Sequence, residues 1–217
     1  QVVVEDDGNP VYLAENGVTI KAKEWALIGD SGVVNGIGYT IVDTQTLVNM
    51  ISNGEDVTRV CTSRIVNMSN MAGMSLVTTF NQPIGNWDVS SVTNMNRMFA
   101  FASSFNQPIG DWDVSNVTNM KVMFYDAAAF NQPIRNWDVS SVLDMGSMFS
   151  NTFAFNQPIG DWDTSNVTNM NSMFWNNDAF NQDLSNWNVI NVNECENFNT
   201  NTPQWTLPKP NFTNCTP

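Results

Sequence analysis

Four aspartates, Asp88, Asp113, Asp138 and Asp163, recur at intervals of 25 residues, and each is followed two positions on by a serine, Ser90, Ser115, Ser140 or Ser165. Carboxylates in such a column admit three chemistries. Pairs could serve as acid and base in glycoside hydrolysis, adjacent ones could bridge a calcium ion, or each could accept hydrogen bonds from its own serine and backbone in a local turn. The first is rejected, because acid and base need two different environments and a repeated column supplies one. Two carboxylates about 5 Å apart repel by roughly 3 kcal/mol at an effective dielectric of about 20, so the column needs compensation. Local turns are the simpler source of it, since no stretch matches a calcium-loop signature. Calcium at Asp88, Asp113, Asp138 and Asp163 stays as the alternative, and no other metal or cofactor is expected.

Histidine is absent from the chain. That removes Ser-His-Asp and Cys-His nucleophile systems and every His-ligated metal, so the expectation is a protein that is not an enzyme. Three cysteines, Cys61, Cys195 and Cys215, are too few for a disulfide scaffold and too far apart for a zinc cluster. A net charge of -13 over 217 residues excludes a binder of phosphate backbones, so nucleic acid is not a partner. No apolar run approaches the roughly 20 residues that span a bilayer, and Gln1 to Asn9 lacks the layout of a signal peptide. The reading is a soluble, already processed chain without membrane insertion.

The elements that must position these residues follow from one repeat. Phe80-Asn81-Gln82-Pro83-Ile84-Gly85-Asn86-Trp87-Asp88-Val89-Ser90 returns, little changed, at Phe105, Phe130, Phe155 and Phe180. The alternation around Trp87 and Val89 predicts a short strand, and the spacing of Met95, Met98 and Phe99 predicts one or two helical turns capped by Thr93 or Asn94. Neither piece buries its apolar side alone, so copies must stack and share a core of Trp, Val, Met and Phe columns. The expected fold is an α/β repeat solenoid, leucine-rich-repeat-like, with one short parallel strand plus one or two helical turns per 25-residue coil.

Different sequence flanks the repeats. Val11 to Ala22 predicts a hairpin around Asn16-Gly17, Trp25–Ile28 and Gly38–Val42 are strand candidates, and Asp43 caps a helix through Asn53 with Gly54 as its stop. Met68 to Met74 repeats the helical half as a degenerate opening coil. The organisation read from this is a mixed β/α N-terminal cap over 1–79, five repeats over 80–199 and a C-terminal cap over 200–217. In that last segment Trp205 stands in the Phe80 column, and Cys215 folds back to form a disulfide with Cys195. Cys61 is read as a small buried apolar residue.

What the shared core does not dictate is what varies between copies. Phe101, Tyr125, Phe153 and Trp175 follow the second half of their copies where others carry Ala, Ser, Asn or Asp, and an aromatic strip there suits a sugar or a protein. A loop that tucks these rings inward is the competing reading. Together with Asp113, Asp138 and Asp163 on the outward side of the expected sheet, they make the candidate ligand-binding set.

The string Phe-Asn-Gln-Pro-Ile-x-x-Trp-Asp-Val-Ser-x-Val-Thr-Asn-Met-x-x-Met-Phe, carried by residues 80–199, resembles the repeat of BspA-like bacterial surface proteins, also seen in mycoplasma surface lipoproteins. The resemblance implies a leucine-rich-repeat-like solenoid, export to the cell surface or beyond it, and adhesion or ligand capture. The expected function is a secreted or surface-attached recognition module for a protein or cell-surface partner. The alternatives are a module for extracellular glycans and a structural spacer.

Overall fold

A hairpin, a small sheet and one helix precede the repeats. The computed structural model describes residues 7–71 and 77–217. Strand β1 (Val11–Leu13) pairs antiparallel with β2 (Ile20–Ala22) across the Asn16-Gly17 turn, where Gly17 takes a φ of 71°. Strands β3 (Ser31–Val34) and β4 (Ile37–Ile41) form a second antiparallel pair, and β5 (Val60–Cys61) adds to β4 in parallel. Asn35 and Gly36 join β3 to β4 with φ of 52° and 80°, the left-handed pair that a two-residue hairpin turn requires. Helix α1 (Thr44–Ser52) starts at Asp43, whose carboxylate accepts the Thr46 N–H at 2.8 Å, and turns Leu47 and Ile51 into the core. The segment Trp25–Ile28 is not a strand. Trp25, Leu27 and Ile28 are exposed in a loop closed by the Ala26 N–H on Lys23 O and the Leu27 N–H on Asp30.

The repeats correct the expected fold class. Among the described residues, the α-helix is confined to Thr44–Ser52 and the strands to the stretch between Val11 and Cys61, in two small sheets. The copies contain neither a strand nor a helical turn, so the leucine-rich-repeat-like α/β solenoid is not what forms. They are built of turns, and join one another through single-residue parallel bridges, Asn67 to Asn94, Asn119, Asp144, Asn169 and Glu194 in succession.

Backbone hydrogen bonding explains the difference. In the stretch read as helical, Met98 N–H bonds Met95 O and Ala102 N–H bonds Phe99 O, which are turn bonds, while Met95, Arg97, Phe99 and Phe101 send their N–H groups to Asn119, Lys121, Met123 and Tyr125 of the next copy. Alternate amides therefore point along the stack and not back along the chain. Arg97 and Phe101 hold φ of 56° and 66°, which reverses the peptide planes and ends any helix. Spacing of i, i+3 and i+4 is common to a helical turn and to this ribbon, and an identical neighbour offers acceptors that an isolated helix would lack.

Side chains add a second set of ties. Trp112, Trp137, Trp162 and Trp187 each donate their indole N–H to the preceding copy, to Ile84, Ile109, Ile134 and Ile159 O at 3.0 to 3.2 Å. All five tryptophans from Trp87 to Trp187 are buried, with Trp162 stacked 6.5 Å from Trp137 and 6.3 Å from Trp187. The methionine columns, including Met120, Met145 and Met170, are buried beside them, in one core that runs from Val42 to Trp205. Asn81, Asn106, Asn131 and Asn156 form a ladder in which each side-chain oxygen accepts the backbone N–H of the next asparagine at 2.9 to 3.0 Å.

Both flanks are tied to this core. Ile20 N–H bonds Asn86 O, and the Trp87 indole bonds Val57 O. Met68 and Met71 are buried, whereas Ala72 to Met74, the rest of the expected opening coil, lie outside the described residues, as does the start of the chain through Asp6. At the other end, Cys195 and Cys215 are joined by a disulfide, Phe212 packs 4.9 Å from Phe198, and Trp205 is buried. Cys61 is a buried free thiol whose pKa is pushed up by burial, which disfavours the thiolate. No helix among the described residues is long and apolar enough to cross a membrane.

Candidate recognition surface

Two positions in each copy lie in the left-handed region: Arg97 and Phe101, Val122 and Asp126, Ser147 and Asn151, Ser172 and Asn176, and Asn197 and Asn201. At the second of these, Asp126, Asn151, Asn176 and Asn201 are the residue types that tolerate that backbone best, because their short polar side chains bond locally. Here the side chains bond between copies as well, Asn176 donating to Asn151 at 3.1 Å and Asn201 to Asn176 at 2.9 Å. Phe101 breaks the series. It is a bulky aromatic at φ 66°, half out in solvent at 51% exposure, in edge-to-face contact with Tyr125 at 5.3 Å.

The four sequence-selected aromatics therefore separate. Phe101 and Tyr125 form a pair, with Tyr125 half-buried. Phe153 is exposed and Trp175 half-buried, and among the described residues neither has an aromatic partner. Inward tucking thus holds in part for Tyr125 and Trp175 and not for Phe101 or Phe153.

The aspartate column separates too. Asp113, Asp138 and Asp163 are exposed, and each accepts the backbone N–H of its own serine, Ser115, Ser140 and Ser165, at 3.0 to 3.2 Å. Asp88, expected on the outward side with them, is buried instead. The β1–β2 hairpin lies over it: Lys21 Nζ stands 3.6 Å from its carboxylate, and Ser63 and Ser90 donate their hydroxyls to it. Tyr12 and Lys21 of the hairpin, with Asp88, Asp111 and Asp113, wall a cleft of about 420 Å³. Sequence reasoning missed Tyr12 and Lys21, since nothing in a hairpin's own pattern says which distant copy it covers. Among the described residues, no three acidic, thiol or imidazole side chains converge to hold a metal ion.

Hydrogen bonds to the charged form lower the proton affinity of a carboxyl. The Ser165 hydroxyl and then its backbone N–H hold Asp163 below the usual carboxylate range, and Ser185 does the same for Asp183. Thr46 does so for Asp43, and Thr58 for Asp56. A carboxyl depressed in the folded state contributes stability that is present above its unfolded value, near 3.9, and is lost as pH falls through the folded value. The melting temperature is accordingly expected to hold level from pH 7 to 5 and to fall steadily below pH 4. A flat profile down to pH 2 would show that these turns contribute nothing.

A family model described as Mycoplasma protein of unknown function, DUF285, matches residues 43–153 and 132–213, which together take in most of the chain. No curated protein and no solved structure matches it.

Proposed function

The chain belongs to DUF285, a mycoplasma protein family of unknown function, and from there we propose that it is a non-enzymatic recognition module. It acts at the cell surface or after secretion, with Phe101 and Tyr125 as the anchors of its contact with a protein or cell-surface partner. The observation that carries this reading is the placement of Phe101. A left-handed backbone costs an ordinary residue roughly 1–2 kcal/mol, and an exposed ring recovers little of that by burial. Folding would favour asparagine there, as in Asn151 and Asn176. Strain of this kind, kept on the surface, marks a position held for contact with something else. The resemblance of residues 80–199 to BspA-like surface repeats supports the same class.

Replacing Phe101 with asparagine tests it, because stability and binding should move in opposite directions. The variant Phe101→Asn is expected to melt a few degrees higher, from about 1 kcal/mol of relieved strain, and to lose at least tenfold in binding to cells or to matrix-coated surfaces. Binding that survives unchanged in both Phe101→Asn and Tyr125→Ala would overturn the assignment. A glycan array run in parallel decides the partner class: a hit abolished by Trp175→Ala or Tyr125→Ala makes the module a glycan binder. A blank array with cell binding intact makes the partner a protein.

A further inference from the structure

The stack ends with its donors unanswered. In four successive copies, amide N–H groups at alternate residues bond carbonyl oxygens of the copy that follows: Met95 to Phe101, Met120 to Asp126, Met145 to Asn151, and Met170 to Asn176. The corresponding groups of the last copy are the N–H of Cys195, Asn197, Asn199 and Asn201, and among the described residues none has an acceptor. Their geometry is that of the earlier copies, with Asn197 and Asn201 at φ of 56° and 57° against 54° and 55° for Ser172 and Asn176.

The C-terminal tail covers part of this edge. Cys215 sits on Cys195 through the disulfide, and Phe212 sits on Phe198. Asn197 and Asn201 remain exposed and Asn199 half-buried. Asn199 and Asn201 open onto a cleft of about 570 Å³, with Trp205 and Lys209 on its other wall. An unpaired row of backbone donors is what an added chain pairs with.

We propose that this edge captures a polypeptide segment of another chain, folded as the repeat's own acceptor ribbon, through carbonyl oxygens at alternate residues. The occupant follows from what fills the same donors elsewhere in the molecule. Four times over it is a backbone of the pattern Asn-Met-x-x-Met-Phe or its variants, met through every second carbonyl. A lone anion does not suit the row, because its donors are two residues apart and Glu194, Glu196 and Asp178 stand nearby.

A synthetic peptide copying residues 168–177 supplies the test, since the carbonyls of Asn169, Asn171, Met173 and Trp175 accept such donors in the folded chain. Amide hydrogen exchange of the intact protein is followed by NMR with and without it. In the free protein, the amides of Asn197, Asn199 and Asn201 should exchange at least a hundredfold faster than those of Ser172, Phe174 and Asn176. Saturating peptide should slow the first three at least tenfold, and a scrambled peptide should not. Pro203→Trp, which fills the cleft from an exposed position, should weaken the peptide at least tenfold with the melting temperature little changed. Slow exchange already in the free protein, no slowing at millimolar peptide, equal slowing by the scrambled peptide or by inorganic phosphate, or full binding by Pro203→Trp would each overturn the proposal. Phe101→Asn should leave peptide capture unchanged, which separates this edge from the aromatic surface.

Discussion

Trp162→Ala should cost the protein about 3–5 kcal/mol, enough to lower its melting temperature by roughly 10 °C or more. The side chain is buried, lies between Trp137 and Trp187, contacts Phe149 at 6.4 Å and donates to Ile134 O. A tryptophan buries about 150–250 Å², worth roughly 4–6 kcal/mol at about 25 cal/mol/Å², and a stack without end-to-end slack cannot collapse onto the space left. Trp162→Phe separates the two contributions: it keeps most of the apolar contact, loses the indole N–H bond, and should cost about 1–2 kcal/mol. Thermal denaturation of the two variants checks both figures. A loss under 1 kcal/mol for Trp162→Ala would mean that neighbouring copies do not depend on each other's rings.

Opening the Cys195–Cys215 bond should have the next largest effect, about 2–4 kcal/mol. The bond closes 20 residues of chain; Trp205, Thr206 and Leu207 are held to Gln182 and Asn181, and past them the tail is tied by Phe212 on Phe198, Leu184 N–H on Pro208 O, and Asn214 on Ile190 O. Cys215→Ser is expected to melt about 5–15 °C lower and to become cleavable by protease after Pro210, with the repeats before Phe180 still protected. Titration of the unreduced, unfolded wild type should find one thiol, that of Cys61. Three thiols would remove the bond from the account.

Some of this was legible in the sequence and some was not, for reasons that particular residues make plain. Asp43, the face of Leu47, Met50 and Ile51, and Gly54 marked α1 to within a residue, with Leu47 and Ile51 buried and Met50 half-buried, because cap, stripe and stop all lie inside one short window. Asn16-Gly17 marked the first hairpin in the same way. Asn35-Gly36 carries the same signal between Val34 and Ile37 but stands outside the strand candidates, while Trp25–Ile28 has the composition of a strand and is an exposed loop. Within the repeats, spacing identified which residues are buried, since Trp, Val and Met columns depend only on what recurs. It did not identify the backbone. Turns closed on a neighbouring copy and a helical turn closed on itself place Met95, Met98 and Phe99 alike, and only the left-handed Arg97 and Phe101 tell them apart. Neither residue type announces that conformation. The burial of Asp88 under Lys21 was out of reach for a different reason, because it depends on where one hairpin lands on a series of near-identical copies.

The two kinds of tie between copies also give the molecule an arrow. Tryptophan indoles reach back to the copy already made, whereas the alternate amides reach forward to the copy not yet made. A chain leaving the ribosome can therefore anchor each new unit by its ring as soon as it emerges, before that unit's own backbone is sealed. During such growth the newest unit carries unsealed forward-pointing amides until the next unit follows. Among the described residues, a front of that kind stands open at Asn197 to Asn201.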